Sequence, residues 1–242
     1  NFKNNIYLAT ISRVEPSLQA AFVNFGRERH GFLAFNDIQS DYYQLPSEDK
    51  EKIRIAEERI REELKDKTIE NNQDNLQVEN SLENKEDKNE NNEDQIEKNN
   101  LKQDYREKVK SSYGIKKYKI QEVIKPGQVI LIQVIKEERG QKGAALTTFI
   151  SLAGKYMVLM PNTPKGGGIS RKIFNSSDRQ KIRNILNDID IPKSMGVIVR
   201  TAGANKTKNE IEKDFQNTLK TWEEIKEKAL DSNAPSLVYE EG

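Results

Sequence analysis

IYLATISRVEPSLQAAFVNFGRERHGFLAF, residues 6–35, decides the architecture. Ile6, Leu8 and then Ile11 to Val14 keep strand spacing. Ala21, Val23 and Phe25 fall on one face of the next run with Phe22 on the other, and Gly31 to Phe35 makes a third run. The runs are short and are closed by Glu15-Pro16-Ser17 and by Gly26, a pattern that predicts a meander. Strand patterning resumes downstream at Val129 to Ile135 and at Ala144 to Leu152, joined by the turn Arg139-Gly140-Gln141-Lys142-Gly143. Five short strands split by a loop insertion predict a small closed barrel of the oligonucleotide-binding type.

The insertion spans about 44–115. After Gln44-Leu45-Pro46-Ser47, residues 48–65 (EDKEKIRIAEERIREELK) are rich in helix formers, with Ile53, Ile60 and Leu64 near helical spacing, and predict a solvated helix. Residues 70–100 then hold 10 Asn, 10 Asp or Glu, 3 Gln and 3 Lys, with only Leu76, Val78, Leu82 and Ile96 as aliphatic side chains. So little apolar surface cannot offset the entropy of ordering the chain, so this stretch is expected to be disordered. It also masks the charge of the rest. The whole chain of 242 residues carries a formal +1, whereas outside 70–100 there are 37 basic against 29 acidic side chains, about +8 over 211 residues. The part expected to fold is basic.

The second half changes pattern. Met157 to Met160 and Gly196 to Thr201 read as strands and Lys165 to Gly168 as a glycine-rich loop, while two helices each open on a capping box, Ser177 with Gln180 and Thr207 with Glu210. In the second helix Ile211, Phe215, Leu219, Trp222, Ile225 and Ala229 form one apolar stripe, read as core. The expected organisation is a barrel domain over 1–153 and a small α/β domain over 154–242, a reasonable size for two domains.

The composition excludes several chemistries. With no Cys there is no disulfide framework, thiolate zinc site or thiol nucleophile, and a single His rules out a His pair. This balance reads as a cytoplasmic protein. The longest apolar run, Val129 to Ile135, is far short of the ~20 residues of a membrane helix. The chain opens on Asn with a strand starting almost at once, which suggests a piece of a longer protein. Asp188 and Asp190 form a D-x-D at the end of a predicted helix, where acidic residues are commonly solvated, and Asp178 suits the first turn of that helix. No Ser-His-Asp, P-loop or G-x-G-x-x-G arrangement is present.

A basic barrel with exposed aromatics points to single-stranded nucleic acid, whose bases stack on aromatic rings while Lys and Arg follow the phosphates. Phe22 and Phe32 are the candidate platforms; packing under a loop or another domain is the alternative. His30 reads as a polar contributor near that face rather than as a base. Arg139, Lys142 and Lys136 lie in a hairpin turn, where they either hold phosphates or solubilise an edge. Arg200-Thr201-Ala202-Gly203 joins a strand to a helix, a place where a guanidinium, a hydroxyl and backbone amides converge on a phosphate or where Thr201 is simply a turn residue. Arg171, after Gly166-Gly167-Gly168, offers a second arginine with the same two readings.

Three strings together are distinctive: NIYLATISRVEPSLQAAFVNFGRERHGFLAF, KEERGQKGAALTTFISLAGKYMVLMPNTPKGGGISRKI and GVIVRTAG, followed by a helix around Trp222 and the ending LVYEEG. They closely resemble the amino-terminal half of the bacterial RNase E/G endoribonucleases, over residues 1–43 and roughly 116–242. The resemblance implies an S1 (OB-fold) five-stranded barrel with a long disordered insertion, followed by a small α/β 5′-sensor domain. It implies that Phe22, Phe32 and Lys142 hold single-stranded RNA, and that Arg200 and Thr201, with Gly154, Val158 and Arg171 around them, bind a 5′-monophosphate. It also implies a magnesium-dependent endoribonuclease of rRNA processing and mRNA decay. The family's catalytic aspartates and Cys-containing zinc link match nothing in this chain, so magnesium and structural zinc are expected of the full-length protein. Homo-oligomers, degradosome-type partners and a cytoplasmic or inner-membrane-peripheral location are implied in the same way. A non-catalytic S1-type RNA-binding protein, or a scaffold fragment whose acidic insertion binds a basic partner, are the other classes the residues allow.

Overall fold

The computed structural model describes residues 1–74, 118–163 and 166–242. These fall into two compact units. One is built from Asn1–Ile53, the stretch after the insertion up to Ser151, and Leu219–Gly242; the other centres on Leu152–Thr218.

In the first unit, β1 (Ile6–Glu15), β2 (Ala20–Asn24), β3 (Gly31–Ala34), β4 (Val129–Lys136) and β5 (Ala145–Thr147) hydrogen-bond in the order β1-β2-β3-β5-β4, and β4 pairs back onto β1. All pairs are antiparallel except β3 with β5. This is a closed five-stranded mixed barrel of the OB type, as the meander and the later strand pair predict. Closure leaves no free edge among the five strands.

The barrel is filled by Tyr7, Ala9, Ile11, Ala21, Val23, Phe25, Leu33, Ile130, Ile132, Val134 and Leu146, with Ile120 and Val123 of the short helix α2 (Ile120–Val123) in the same cluster. On β1 the inward residues are therefore Tyr7, Ala9 and Ile11, not the Ile6 and Leu8 set that the spacing suggested. The register explains the difference: Ile11 faces Val23 and Arg13 faces Phe22, so Ser12 is an extra residue in a bulge. The bulge changes which parity points inward along the strand. Past it, Val14, Ala21 and Leu33 line up across β1, β2 and β3 on the core side, and Arg13, Phe22 and Phe32 line up on the other.

A strand not anticipated, β10 (Ser236–Tyr239), pairs antiparallel with β1 at Ile6–Leu8. Because β4 occupies one edge of β1 through Ile6 to Thr10, β10 continues along the edge that β2 takes farther on. The helix expected in the insertion is present as α1 (Ser47–Asp74), longer than predicted, and Ile53 and Ala56 on it are buried. The rest of the tract expected to be disordered, from residue 75 on, lies outside the described residues.

The second unit is a four-stranded sheet in the order β6-β7-β9-β8, from β6 (Leu152–Ala153), β7 (Met157–Met160), β8 (Gly166–Ile169) and β9 (Gly196–Val199). The stretch Ala144 to Leu152 is thus not one strand: its first part joins the barrel and Leu152 joins this sheet. Every residue of β7 and β9 is buried, the continuous apolar signature of strands covered on both faces. The glycine-rich stretch read as a loop is instead strand β8, parallel to β9, with Gly167 opposite Val197. A Cβ on Gly167 would stand 3.2 Å from the Leu186 side chain of α3 (Ser176–Asp188), so the missing side chains allow the helix to approach the sheet. The cap of α3 also differs from prediction. Asn175 is the N-cap, its side chain accepting from the Ser177 and Asp178 amides, because it sits one residue before the first helical turn where an acceptor is needed. The final helix α4 (Lys208–Leu230) opens on the predicted Thr207–Glu210 box, and Ile211, Phe215, Trp222 and Ile225 of its stripe are buried.

Candidate functional site

On the barrel, the outward row built by the register brings two aromatics and a cation together. Phe22 and Phe32 are directly opposed on β2 and β3, with ring centroids 6.1 Å apart at 74°, an edge-to-face pair. Ala21 and Val23 beside Phe22 are fully buried, whereas Phe32 is 36% exposed and Phe22 half-buried. The Arg13 guanidinium stands 4.6 Å from the centroid of the Phe22 ring. The bulge residue has its own task. Ser12 Oγ donates to the Phe22 carbonyl at 2.9 Å and lies 2.9 Å from His30 Nδ1. Since the serine proton is committed to the carbonyl, His30 Nδ1 is the donor in the second bond, which fixes that ring beside the aromatic pair.

Lys142 lies in the hairpin turn that leads into β5. Arg139 and Lys142 exchange backbone bonds of 3.1 and 2.8 Å, closing the turn. Arg29 Nη1 donates to the carbonyls of Gly140 and Lys142, tying the turn to the segment before β3. Gly143 lies against the His30 carbonyl, and Phe32 N donates to the Ala144 carbonyl at 2.8 Å. Of the three barrel residues singled out from sequence, Phe22 and Phe32 share one face of β2 and β3, and Lys142 lies in the turn that precedes β5. Arg13, Ser12 and Arg29 were not singled out; the bulge that places the first two has no signature in the alternation.

The second unit gathers the other candidates at one end of its sheet. β8 and β9 are parallel, so Arg171 and Arg200, which follow them, leave the sheet on the same side; Ser170 N donates to the Val199 carbonyl at 2.9 Å and locks the two exits together. β7 runs the other way, which puts its start beside the ends of β6 and β9. There Arg200 Nη1 donates to the Gly154 carbonyl at 3.0 Å and Arg200 N to the Tyr156 carbonyl at 2.8 Å. Thr201 is exposed and begins a 3₁₀ turn, Thr201–Gly203. Val158 lies one step into β7 opposite Ile198, and its side chain is buried.

What holds this end rigid is a residue the sequence did not reveal. Asp214, on α4 and 8% exposed, accepts three backbone amides in succession: Lys155 at 3.0 Å, Tyr156 at 2.8 Å and Met157 at 3.2 Å. Three N–H groups aimed at one carboxylate are a charge-assisted clamp on the turn between β6 and β7. Gly154 is part of the same device, because a Cβ there would fall 2.5 Å from Asp214 Oδ2. Nothing in the apolar stripe of α4 marks Asp214, which sits immediately before Phe215. Tyr156 carries Lys206 Nζ 5.2 Å from its ring centroid, adding a cation at this end. The N-terminus of α4 is closed to outside anions: the Thr207 amide, opposed by desolvation and helped by the Thr207 hydroxyl and Lys206, holds the Glu210 carboxyl below its usual range, so that helix end already faces a carboxylate.

Among the described residues no group of three or more His, Asp or Glu side chains stands close enough to hold a metal ion, and no helix is long and apolar enough to cross a membrane.

Residues 151–242 match the ribonuclease E/G family. Ribonuclease E of Escherichia coli K12 is 36% identical over 239 residues, which is 99% of this chain and 16% of that protein. The chain belongs to the RNase E/G family. Ribonuclease E of Haemophilus influenzae is 35% identical over 239 residues, 99% of this chain and 18% of the relative. Ribonuclease G of E. coli is 23% identical over 224 residues, 93% of this chain and 33% of its own length. The chain thus spans about a sixth of the ribonuclease E relatives and is homologous to their amino-terminal region. Both the barrel face and the sheet end lie within the length shared with these RNase E proteins.

Proposed function

We propose that this chain is the RNA-gripping and 5′-end-sensing part of an RNase E/G-type endoribonuclease. Its barrel, within 1–153, holds single-stranded RNA on Phe22 and Phe32 with Lys142 on a phosphate. The α/β part, within 154–242, holds a 5′-monophosphate between Arg200, Thr201 and Arg171, on a floor shaped by Gly154 and Val158. The observation that supports this reading is that Arg171 follows β8, and Arg200 and Thr201 follow β9, on the same side of two parallel strands, where ligands of α/β sheets bind. A guanidinium pair and a hydroxyl match the charge and acceptor oxygens of a phosphomonoester and ignore the base. On this reading hydrolysis of RNA belongs to other parts of the parent protein, and magnesium, structural zinc, self-association, degradosome-type partners and a cytoplasmic or inner-membrane-peripheral setting belong to that whole.

The test is a competition between identical oligonucleotides with 5′-monophosphate, 5′-triphosphate and 5′-hydroxyl ends. The monophosphate binds best to the native chain, and Arg200→Leu removes that preference while retaining binding through internal nucleotides. Equal affinities for the three ends in the native chain exclude the sensor.

A further inference from the structure

Phe22 is flanked by its cross-strand neighbours on both sides. Arg13 of β1 stands opposite it and holds its guanidinium 4.6 Å from the ring centroid, while Phe32 of β3 meets it edge-to-face at 6.1 Å. A base stacking on Phe22 from the β1 side therefore needs the space that the guanidinium fills. Arg13 is on this face because of the bulge. Ile11 is opposite Val23 in the core, so strict alternation would set Ser12 opposite Phe22 and turn Arg13 inward against Ala21. The extra residue re-aims the arginine to the outside. Ser12 in turn is fixed, its Oγ donating to the Phe22 carbonyl at 2.9 Å and lying 2.9 Å from His30 Nδ1.

The arginine is exposed and available. Among the described residues no ion pair engages it, and Glu15, the acid farther along β1, accepts from Ser17 Oγ at 2.8 Å. A cation over a ring at an exposed position is favoured by a factor of about two to five, weak enough for a ligand to displace. A guanidinium pushed off the ring by a base is left beside that base's own flanking phosphates, the anions whose geometry it matches. We propose that Arg13 is a gate over Phe22: it stacks on the ring in the free chain, yields that face to a nucleobase and moves to the adjoining phosphate. The proposal rests on the barrel face being the surface that holds single-stranded RNA. The exchange makes that face selective. A nucleoside displaces the cation without offering it an anion, whereas a strand brings base and phosphate together, so Arg13 favours polynucleotides over single nucleosides.

The test measures the affinity of the 242-residue chain for a short single-stranded RNA with a 5′-hydroxyl end over a range of salt concentrations. Arg13→Ala weakens binding at low salt and lowers the slope of log affinity against log salt by about 0.7. As salt screens the phosphate contact the two curves cross, and the variant ends about two- to fivefold tighter because nothing competes for Phe22. In a Phe22→Ala background the same substitution lowers the slope without a crossing, since no stacked cation remains to be displaced. Thermal unfolding checks that each variant is folded. Proton NMR reads the exchange directly: the Arg13 δ-methylene signals, shifted upfield by the Phe22 ring in the free chain, move back toward ordinary values when RNA is added. An Arg13→Ala curve parallel to the native one, weaker binding of that variant at every salt concentration, or δ-methylene signals that stay upfield in the complex overturns the gate. RNA affinity unchanged in Phe22→Ala removes the stacking surface itself; a loss of affinity in Phe22→Ala with parallel native and Arg13→Ala curves removes the gate alone.

Discussion

Asp214→Asn is a nearly isosteric change whose consequences follow from three hydrogen bonds. In the native chain Oδ2 takes the Tyr156 and Met157 amides and Oδ1 the Lys155 amide. An asparagine does best by turning its remaining oxygen to the pair, which leaves its NH2 group facing the Lys155 N–H. One charge-assisted bond is then lost and two are reduced to neutral ones. With such bonds contributing about 1.5 to 3 kcal/mol each and neutral ones about 1, the local cost is about 3 kcal/mol at the low end of these ranges. Because Tyr156 also accepts the Arg200 amide, loosening residues 155–157 loosens Arg200. The expected outcome is faster hydrogen exchange at the 155–157 amides by two orders of magnitude, and a loss of 5′-monophosphate preference with barrel-mediated RNA affinity unchanged. Residue-resolved exchange is the right assay since it reads local opening without assuming that both units unfold together. Native exchange rates at these three amides in the Asp214→Asn protein, with the 5′ preference intact, would refute the clamp.

Gly31→Ala places a Cβ 2.4 Å from Leu146 Cδ1 and 3.2 Å from Phe25 Cε1, both in the closed barrel core, and urea unfolding should show a loss of about 2 to 3 kcal/mol and a temperature-sensitive fold. Phe22→Ala should weaken single-stranded RNA binding by about 1 to 3 kcal/mol with little change in salt dependence. Lys142→Ala should instead lower the slope of log affinity against log salt by about one ion, and titrations at several salt concentrations separate the two. The Glu210 carboxyl, held low by the Thr207 amide, contributes to the start of α4 above the ordinary glutamate pKa, and the contribution is lost as pH falls through the lowered folded value. Carboxyl-carbon NMR should give Glu210 a midpoint below those of other surface glutamates, and amide exchange in the first turn of α4 should rise below that midpoint.

How legible the molecule is from its sequence depends on whether local pattern and tertiary pairing agree. Strand β2 is plain because its two faces differ chemically, so Ala21 and Val23 announce the core and Phe22 the outside. Strand β1 is misleading because the extra Ser12 switches parity midway, and a bulge is defined only against its partner strand. The glycines of β8 have no side-chain pattern at all; they become a strand because β9 offers a parallel edge and Leu186 needs the space. Thr207–Glu210 is readable as a box since both partners are local, whereas Asn175 displaces Ser177 as a cap through the backbone geometry at the helix entry. Asp214 is the instructive omission. Its importance comes from three amides some sixty residues away, and a lone acid on a helix gives no sign of which donors it will meet. The candidate binding residues were named from the family strings and from exposed aromatics, but their spatial grouping comes from the register of β2 with β3 and the parallel pairing of β8 with β9.

Amide chemical-shift mapping with a labelled chain tests RNA binding at the barrel face and at the end of the β6-β7-β9-β8 sheet at once. Titration with a 5′-monophosphorylated single strand should perturb Phe22, Phe32 and Lys142 together with Gly154, Arg171, Arg200 and Thr201. The same strand with a 5′-hydroxyl should perturb the barrel set alone. Perturbations confined to other surfaces, or identical at the sheet end for both RNAs, would contradict it.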